Sequence, residues 1–137
     1  MMLAPLWGQH YQKTATGVKT NLQSMDIEIK FYSPSIVRIL KSPQGIAFSK
    51  ESLSVIKRPE NIVVTTIDNK DVVSVSSTLL KVEMNLTTGK IVFADANGNK
   101  LLTEKDYGAQ FAPTKDVDKQ TFTARQAFLL DSDEAIY

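Results

Sequence analysis

One histidine, His10, is this chain's entire supply of imidazole, and there is no cysteine. Together these facts remove histidine dyads, the usual zinc triads and any thiol nucleophile with its base. A serine triad using His10 is formally possible, but no serine lies in a G-x-S-x-G elbow. The six glycines are scattered singly, so no glycine-rich loop is available to cradle a phosphate. Two acidic groups invite an acid-base or metal reading. Asp131, Asp133 and Glu134 form D-x-D-E, without the glycine and distal glutamate of a calcium loop, and read better as a solvated turn. Glu104 and Asp106 flank Lys105 and read as an ordinary charged strand end.

The remaining polar motif, Asn85-Leu86-Thr87, matches an N-glycosylation acceptor, which has meaning only on a eukaryotic secretory route. Aromatic rings are the other resource, because a pyranose stacks on an exposed ring. Phe31, Phe93, Phe122 and Phe128 lie in alternating or apolar context and are assigned to the core. Tyr32, Tyr107 and Phe111 are less clearly buried, with packing or interface roles favoured over a sugar platform. No catalytic constellation emerges, and no metal site or cofactor is expected.

What must position these residues is a set of short strands. Met25, Ile27, Ile29 and Phe31 alternate with Asp26, Glu28, Lys30 and Tyr32, the pattern of a half-buried antiparallel strand. Ser33-Pro34 ends it, Ser35 to Leu40 resumes, and Ser42-Pro43-Gln44-Gly45 turns again. Ile62 to Ile67 is β-branched, Asp68-Asn69 is expected to reverse the chain, and Val72 to Ser76 continues. Leu80, Val82, Met84 and Leu86 alternate with Lys81, Glu83 and Asn85; Thr87-Thr88-Gly89 turns into Ile91-Val92-Phe93. Asn97-Gly98 is the strongest hairpin signal, and Leu101-Leu102 starts the return strand. From Thr121 the chain alternates like a strand, with Phe122, Ala124 and Gln126 on one face and Thr123, Arg125 and Ala127 on the other; apolar Phe128, Leu129 and Leu130 follow, then a polar turn, then Ile136 and Tyr137. Only Ser49 to Val55 could form a helical turn. The expectation is one all-β domain, an antiparallel sandwich, incomplete at its C-terminal end.

Composition supports a single domain without staples. At 137 residues a chain can bury roughly two thirds of the surface its unfolded form exposes. A formal charge of +1 gives no footprint for nucleic acid, and no apolar run approaches a membrane span. Residues 1–8, MMLAPLWG, are apolar and uncharged before a sharp change at Gln9; they read either as the end of a secretory signal or as an N-terminal arm. The first reading implies a periplasmic or secreted mature chain beginning near residue 9.

Three stretches resemble one family in order: Ile27 to Leu40, IEIKFYSPSIVRIL; Leu80 to Glu104, LKVEMNLTTGKIVFADANGNKLLTE; and Phe128 to Tyr137, FLLDSDEAIY. They are similar to the N-terminal β-sandwich of glycoside hydrolase family 31, the α-glucosidase and α-xylosidase family. The third resembles the approach to its Glu-x-x-Tyr-Gly-Leu-Gly signature, with Glu134 and Tyr137 as the first two fixed positions. The resemblance implies a galactose mutarotase-like sandwich over residues 9–137 that precedes a (β/α)₈ barrel. In the family, two barrel aspartates run a retaining mechanism through a covalent intermediate. No catalytic or substrate-binding residue is therefore assigned to this chain, which alone is expected not to be an enzyme. Phe128, Glu134, Ile136 and Tyr137 are assigned to the interface with the catalytic domain, and an exposed apolar patch around Phe128, Leu130, Ile136 and Tyr137 is expected, through which the chain could self-associate. Two other classes stay open: a free-standing carbohydrate-binding sandwich, and, by fold analogy alone, a mutarotase.

Overall fold

The computed structural model describes residues 10–46 and 53–132. Among these there is no helix; every regular element is a strand, and all pairings are antiparallel. The first sheet contains β1 (Gln12–Thr14), β2 (Gly17–Leu22), β3 (Met25–Ser33) and β4 (Ile36–Pro43) in chain order. The second contains β5 (Thr65–Asn69), β6 (Val72–Ser76), β7 (Leu80–Asn85), β8 (Ile91–Asp95), β9 (Lys100–Asp116) and β10 (Lys119–Leu129), also as successive neighbours. The expected helical turn at Ser49 to Val55 lies partly outside the described residues, and its described end is a bend.

The two-residue period of the sequence places the core. Val18, Met25, Ile27, Ile29 and Phe31 line the inner face of the first sheet. Val73, Val75, Val82, Met84 and Ile91 answer from the second, each fully buried. The sheets therefore pack face to face as a β-sandwich, the class expected from the alternation.

Two turns differ from expectation. Asp68 and Asn69 stay in the ladder, because Asn69 pairs with Val72, and the reversal falls on Lys70-Asp71 with Lys70 at positive φ. Residues 62–64 do not join β5, whose ladder with β6 begins at Thr65 opposite Ser76; Ile62 and Val64 pack against the core instead. Asn97-Gly98 does turn the chain, but within a wider loop. Asp95 accepts from the backbone N–H groups of Asn97 and Asn99, each at 2.9 Å, and only Gly98 has positive φ. These bonds hold the exposed Asp95 carboxyl below its ordinary value, first through Asn99.

Among the described residues one ion pair crosses the sandwich. Lys41, on the inward row of β4 opposite Ile27, sends Nζ to Glu104 Oε2 of β9 at 2.7 Å, with both side chains almost completely buried. Glu104 is thus not the charged strand end expected. Its Oε2 also accepts from the Ile91 backbone N–H at 2.8 Å, and its Oε1 from Gln126 Nε2 at 3.1 Å. Lys41 Nζ spends a second proton on the Gly89 carbonyl at 2.9 Å. At the opposite side of the sandwich, Tyr11, just before β1, hydrogen-bonds Asp68 of β5. Burial and the Asp68 carboxylate both raise the Tyr11 hydroxyl above its ordinary value.

Removing one partner of a buried pair strands the other charge, typically at a cost of about 3–5 kcal/mol, whereas replacing both with apolar groups is far cheaper. Lys41→Met should therefore lower the urea midpoint sharply, and Lys41→Met/Glu104→Leu should recover much of the loss; additive losses in this cycle would contradict the pairing. The Tyr11 shift has a definite sign. A hydroxyl raised on folding gives stability that is full below its unfolded value of about 10 and is lost as pH rises through the folded one. Thermal melts should fall across that alkaline window, and less steeply in Tyr11→Phe.

Candidate domain-docking surface

The long β9–β10 hairpin is the element least explained by the core. Its tip is a two-residue turn, Val117-Asp118, with both residues at positive φ and Asp116 paired to Lys119. At its root the ladder is broken: Glu104 pairs with Phe128 and Ala109 with Gln126, so residues 105–108 bulge out against Ala127. That bulge closes over the buried ion pair through Gly108. A Cβ there would lie 2.1 Å from Glu104 Oε2 and 2.8 Å from Lys41 Nζ, and its φ of +76° is one L side chains rarely adopt. Glycine is required twice over.

Register defines the inward face of the hairpin. Phe111 opposes Ala124, Pro113 opposes Phe122, and Ala109 opposes Gln126, continuing the row that holds Glu104 and Phe128. Sequence alternation thus assigned Phe122, Ala124 and Gln126 to one face correctly. Among the described residues this face is covered only in part: Ala109 is buried and Phe111 packs against the core, while Phe122 and Phe128 remain 40% and 38% exposed. These two phenylalanines are a correction to the expected core. The cause is sheet width, since the first sheet ends at β4, which packs on β9, and has no strand opposite β10.

Two open grooves follow from that gap. One, of about 840 Å³, lies among Met25, Pro43, Tyr107, Phe111, Pro113 and Phe122. The other, of about 310 Å³, runs past Ile39, Lys41, Ala124 and Gln126. Their walls mix apolar side chains with polar ones, Ser24, Thr123 and Arg125 in the larger groove and Lys41, Arg125 and Gln126 in the smaller. A third groove, on the outer face of the first sheet, is polar. Its Lys19 and Glu28 pair at 3.0 Å, and its Asn21 bonds Asp26 at 2.7 Å.

The other sequence candidates are dispersed. His10 is exposed, and no group of three or more His, Cys, Asp or Glu among the described residues could hold a metal. Tyr32 is buried, with its hydroxyl accepting from Arg38 Nη1 at 3.3 Å, whereas Tyr107 is 44% exposed on the hairpin bulge. Asn85 Oδ1 accepts from the Thr87 and Thr88 N–H groups, so the sequon serves as a turn. Of the four residues assigned to the domain interface, Phe128 is described, and it is part-exposed on the inward face of β10. Glu134, Ile136 and Tyr137 lie outside the described residues, as do Asp133 and residues 1–9. The Lys41–Glu104 pair was missed, since a lone lysine beside Ser42-Pro43 carries no local sign of burial.

No protein-family model matches the chain. Among solved structures it is similar to a GH31 α-xylosidase from Xanthomonas citri, with a TM-score of 0.79 and 25% identity over 89% of this chain and 14% of that one. It also resembles an uncharacterized protein from Listeria monocytogenes EGD-e, solved alone and with glucose, magnesium and calcium, at a TM-score of 0.55 and 16% identity over 69% of this chain and 9% of that one. The second likeness is one of fold alone. The chain thus spans about a seventh of the α-xylosidase, and its two sheets have the fold of the N-terminal β-sandwich domain of a GH31 glycosidase.

Proposed function

We propose that this chain acts as the noncatalytic N-terminal domain of a retaining α-glycosidase of the α-glucosidase or α-xylosidase type, packing on the catalytic barrel and helping to shape its substrate pocket. The observation that carries this reading is the uncovered inward face of the β9–β10 hairpin. Phe122 and Phe128 are 40% and 38% exposed on that face, and Leu129 and Leu130 beside Phe128 are exposed as well, a concentration of apolar surface that a partner would cover. The likeness to a GH31 α-xylosidase supports the identity of the partner. The two aspartates of a retaining mechanism would both lie on that barrel. The apolar segment at residues 1–8 supports export to the periplasm or medium.

Two measurements test it. The purified chain should hydrolyse neither aryl α-glucosides nor aryl α-xylosides; turnover by it would end the proposal. In a full-length enzyme carrying this domain, Phe122→Asp and Phe128→Asp should each lower thermal stability, by about 1.5–3 kcal/mol for a phenylalanine removed from an apolar contact. The isolated domain should barely respond, and equal responses in both contexts would contradict docking through this face.

A second reading, a free-standing glycan-binding sandwich, draws on Tyr107, whose exposed ring sits beside Gln110 and Arg125. Saturable binding of α-glucan or xyloglucan oligosaccharides that is lost in Tyr107→Ala would favour it, and flat titrations would count against it.

A further inference from the structure

The loop between β8 and β9 holds the one asparagine of this chain that precedes a glycine, and that pair has a chemistry of its own. Asn97 and Gly98 are both exposed. The other asparagines, Asn21, Asn61, Asn69, Asn85 and Asn99, are followed by leucine, isoleucine or lysine. An asparagine side chain is open to attack by the backbone nitrogen of the next residue. Here the Gly98 nitrogen would give up its proton to solvent base and bond to Asn97 Cγ. The bond from Cγ to the side-chain nitrogen breaks, and that nitrogen leaves as ammonia. Water then opens the cyclic imide at either carbonyl, giving aspartate or isoaspartate. The balance is one water taken up and one ammonia released, with nothing oxidised or reduced. Access to the attacking nitrogen limits the step, and glycine, with no Cβ, gives the most. Around Gly98 the space is open, since a Cβ built there would meet nothing within 4 Å.

The fold holds the pair away from this reaction. Gly98 N–H donates to the Asp95 carbonyl at 3.1 Å, closing a turn over Asp95, Ala96, Asn97 and Gly98. Asn97 is not at positive φ, so this hydrogen-bonded turn is of type I, in which ψ of the third residue is about 0°. That setting puts the Gly98 nitrogen in line with the Asn97 nitrogen. Ring closure needs it in line with Cβ, one tetrahedral step round the Cα–C bond. The Asp95 carboxylate locks the setting. Its Oδ1 accepts from the Asn97 and Asn99 backbone N–H groups, each at 2.9 Å, and its Oδ2 from Asn99 Nδ2 at 2.8 Å. One charge thus holds the amides on both sides of Gly98. The same negative charge opposes loss of the Gly98 proton.

We propose that Asn97 is a site of spontaneous conversion to aspartate and isoaspartate, and that Asp95 is the residue that restrains it in the folded chain. Conversion bears on the fold. A carboxylate at position 97 adds a second negative charge to the loop that Asp95 closes. Isoaspartate also lengthens the backbone by a methylene just before Lys100, where β9 takes up its pairing with Ala94. The inference concerns this loop alone and stands apart from the function proposed above.

Peptide mass mapping after incubation at mildly alkaline pH tests it, because each amide-to-acid change is a mass gain at an identifiable asparagine. In urea the wild-type chain should gain mass at Asn97 ahead of every other asparagine. In buffer the same site should react more slowly by about tenfold or more, the shift in an opening equilibrium that one hydrogen bond to a charged group brings. Asp95→Ala, its fold checked by circular dichroism, should restore most of the urea rate in buffer, and Asn97→Gln should remove the site. Where Asp95→Ala does not fold, Asp95→Asn, which keeps the side-chain shape and gives up its charge, makes the same comparison. Equal rates at Asn97 in buffer and in urea would overturn the proposal, as would a folded Asp95 variant that reacts no faster than the wild-type chain.

Discussion

The Lys41–Glu104 pair is the constraint around which this sandwich is arranged. Two sheets held only by apolar rows can slide, because burial is non-directional. An ammonium that must reach both a Glu104 oxygen and the Gly89 carbonyl, while the same carboxylate takes the Ile91 N–H, fits one placement of β4 over β8 and β9. Desolvating two charges cancels most of what their attraction returns, so such a pair adds little to net stability. Its contribution is geometric. Gly108 shows how much local structure it commands, since the β9 bulge closes over the carboxylate at a position where any side chain would collide with it.

From that node the unusual part of the molecule follows. Gln126 of β10 is tied to the outer oxygen of Glu104, so the hairpin is anchored at its root by a hydrogen bond to a buried charge. Such bonds are roughly twice as strong as neutral ones. Beyond the root, β9 and β10 hold mainly to each other, and their exposed residues outnumber their buried ones. Anchored root and uncovered arm together describe an element whose position is fixed by the core and whose surface is not used by it.

The sequence made most of the core legible, because alternation is a local signal: Met25 to Phe31 and Val82 to Met84 are buried where the two-residue period puts them. What it could not show depends on partners distant in the chain. Lys41 and Glu104 lie 63 residues apart, and each alone looks like a surface charge. Alternation placed Phe122 on its face and the apolar run placed Phe128 in the core, but neither could tell how far a second layer reaches, and among the described residues both rings stay part-exposed. Turn chemistry failed in a related way. Asn97-Gly98 was visible, whereas Val117-Asp118, with a β-branched residue at positive φ, carries no turn signature and is imposed by the pairing of the strands it joins.

The inward face of the hairpin and the core rows demand different things of what packs on them. Burial of apolar area is non-directional, so a face such as that of Phe122 and Phe128 accepts a complementary surface without fixing register. The core rows gain the same area but sit in ladders, where a one-residue slip turns every side chain to the other face. Phe122→Asp therefore changes only what the arm presents, whereas Lys41→Met changes what holds one sheet over the other, and the two effects can be separated residue by residue.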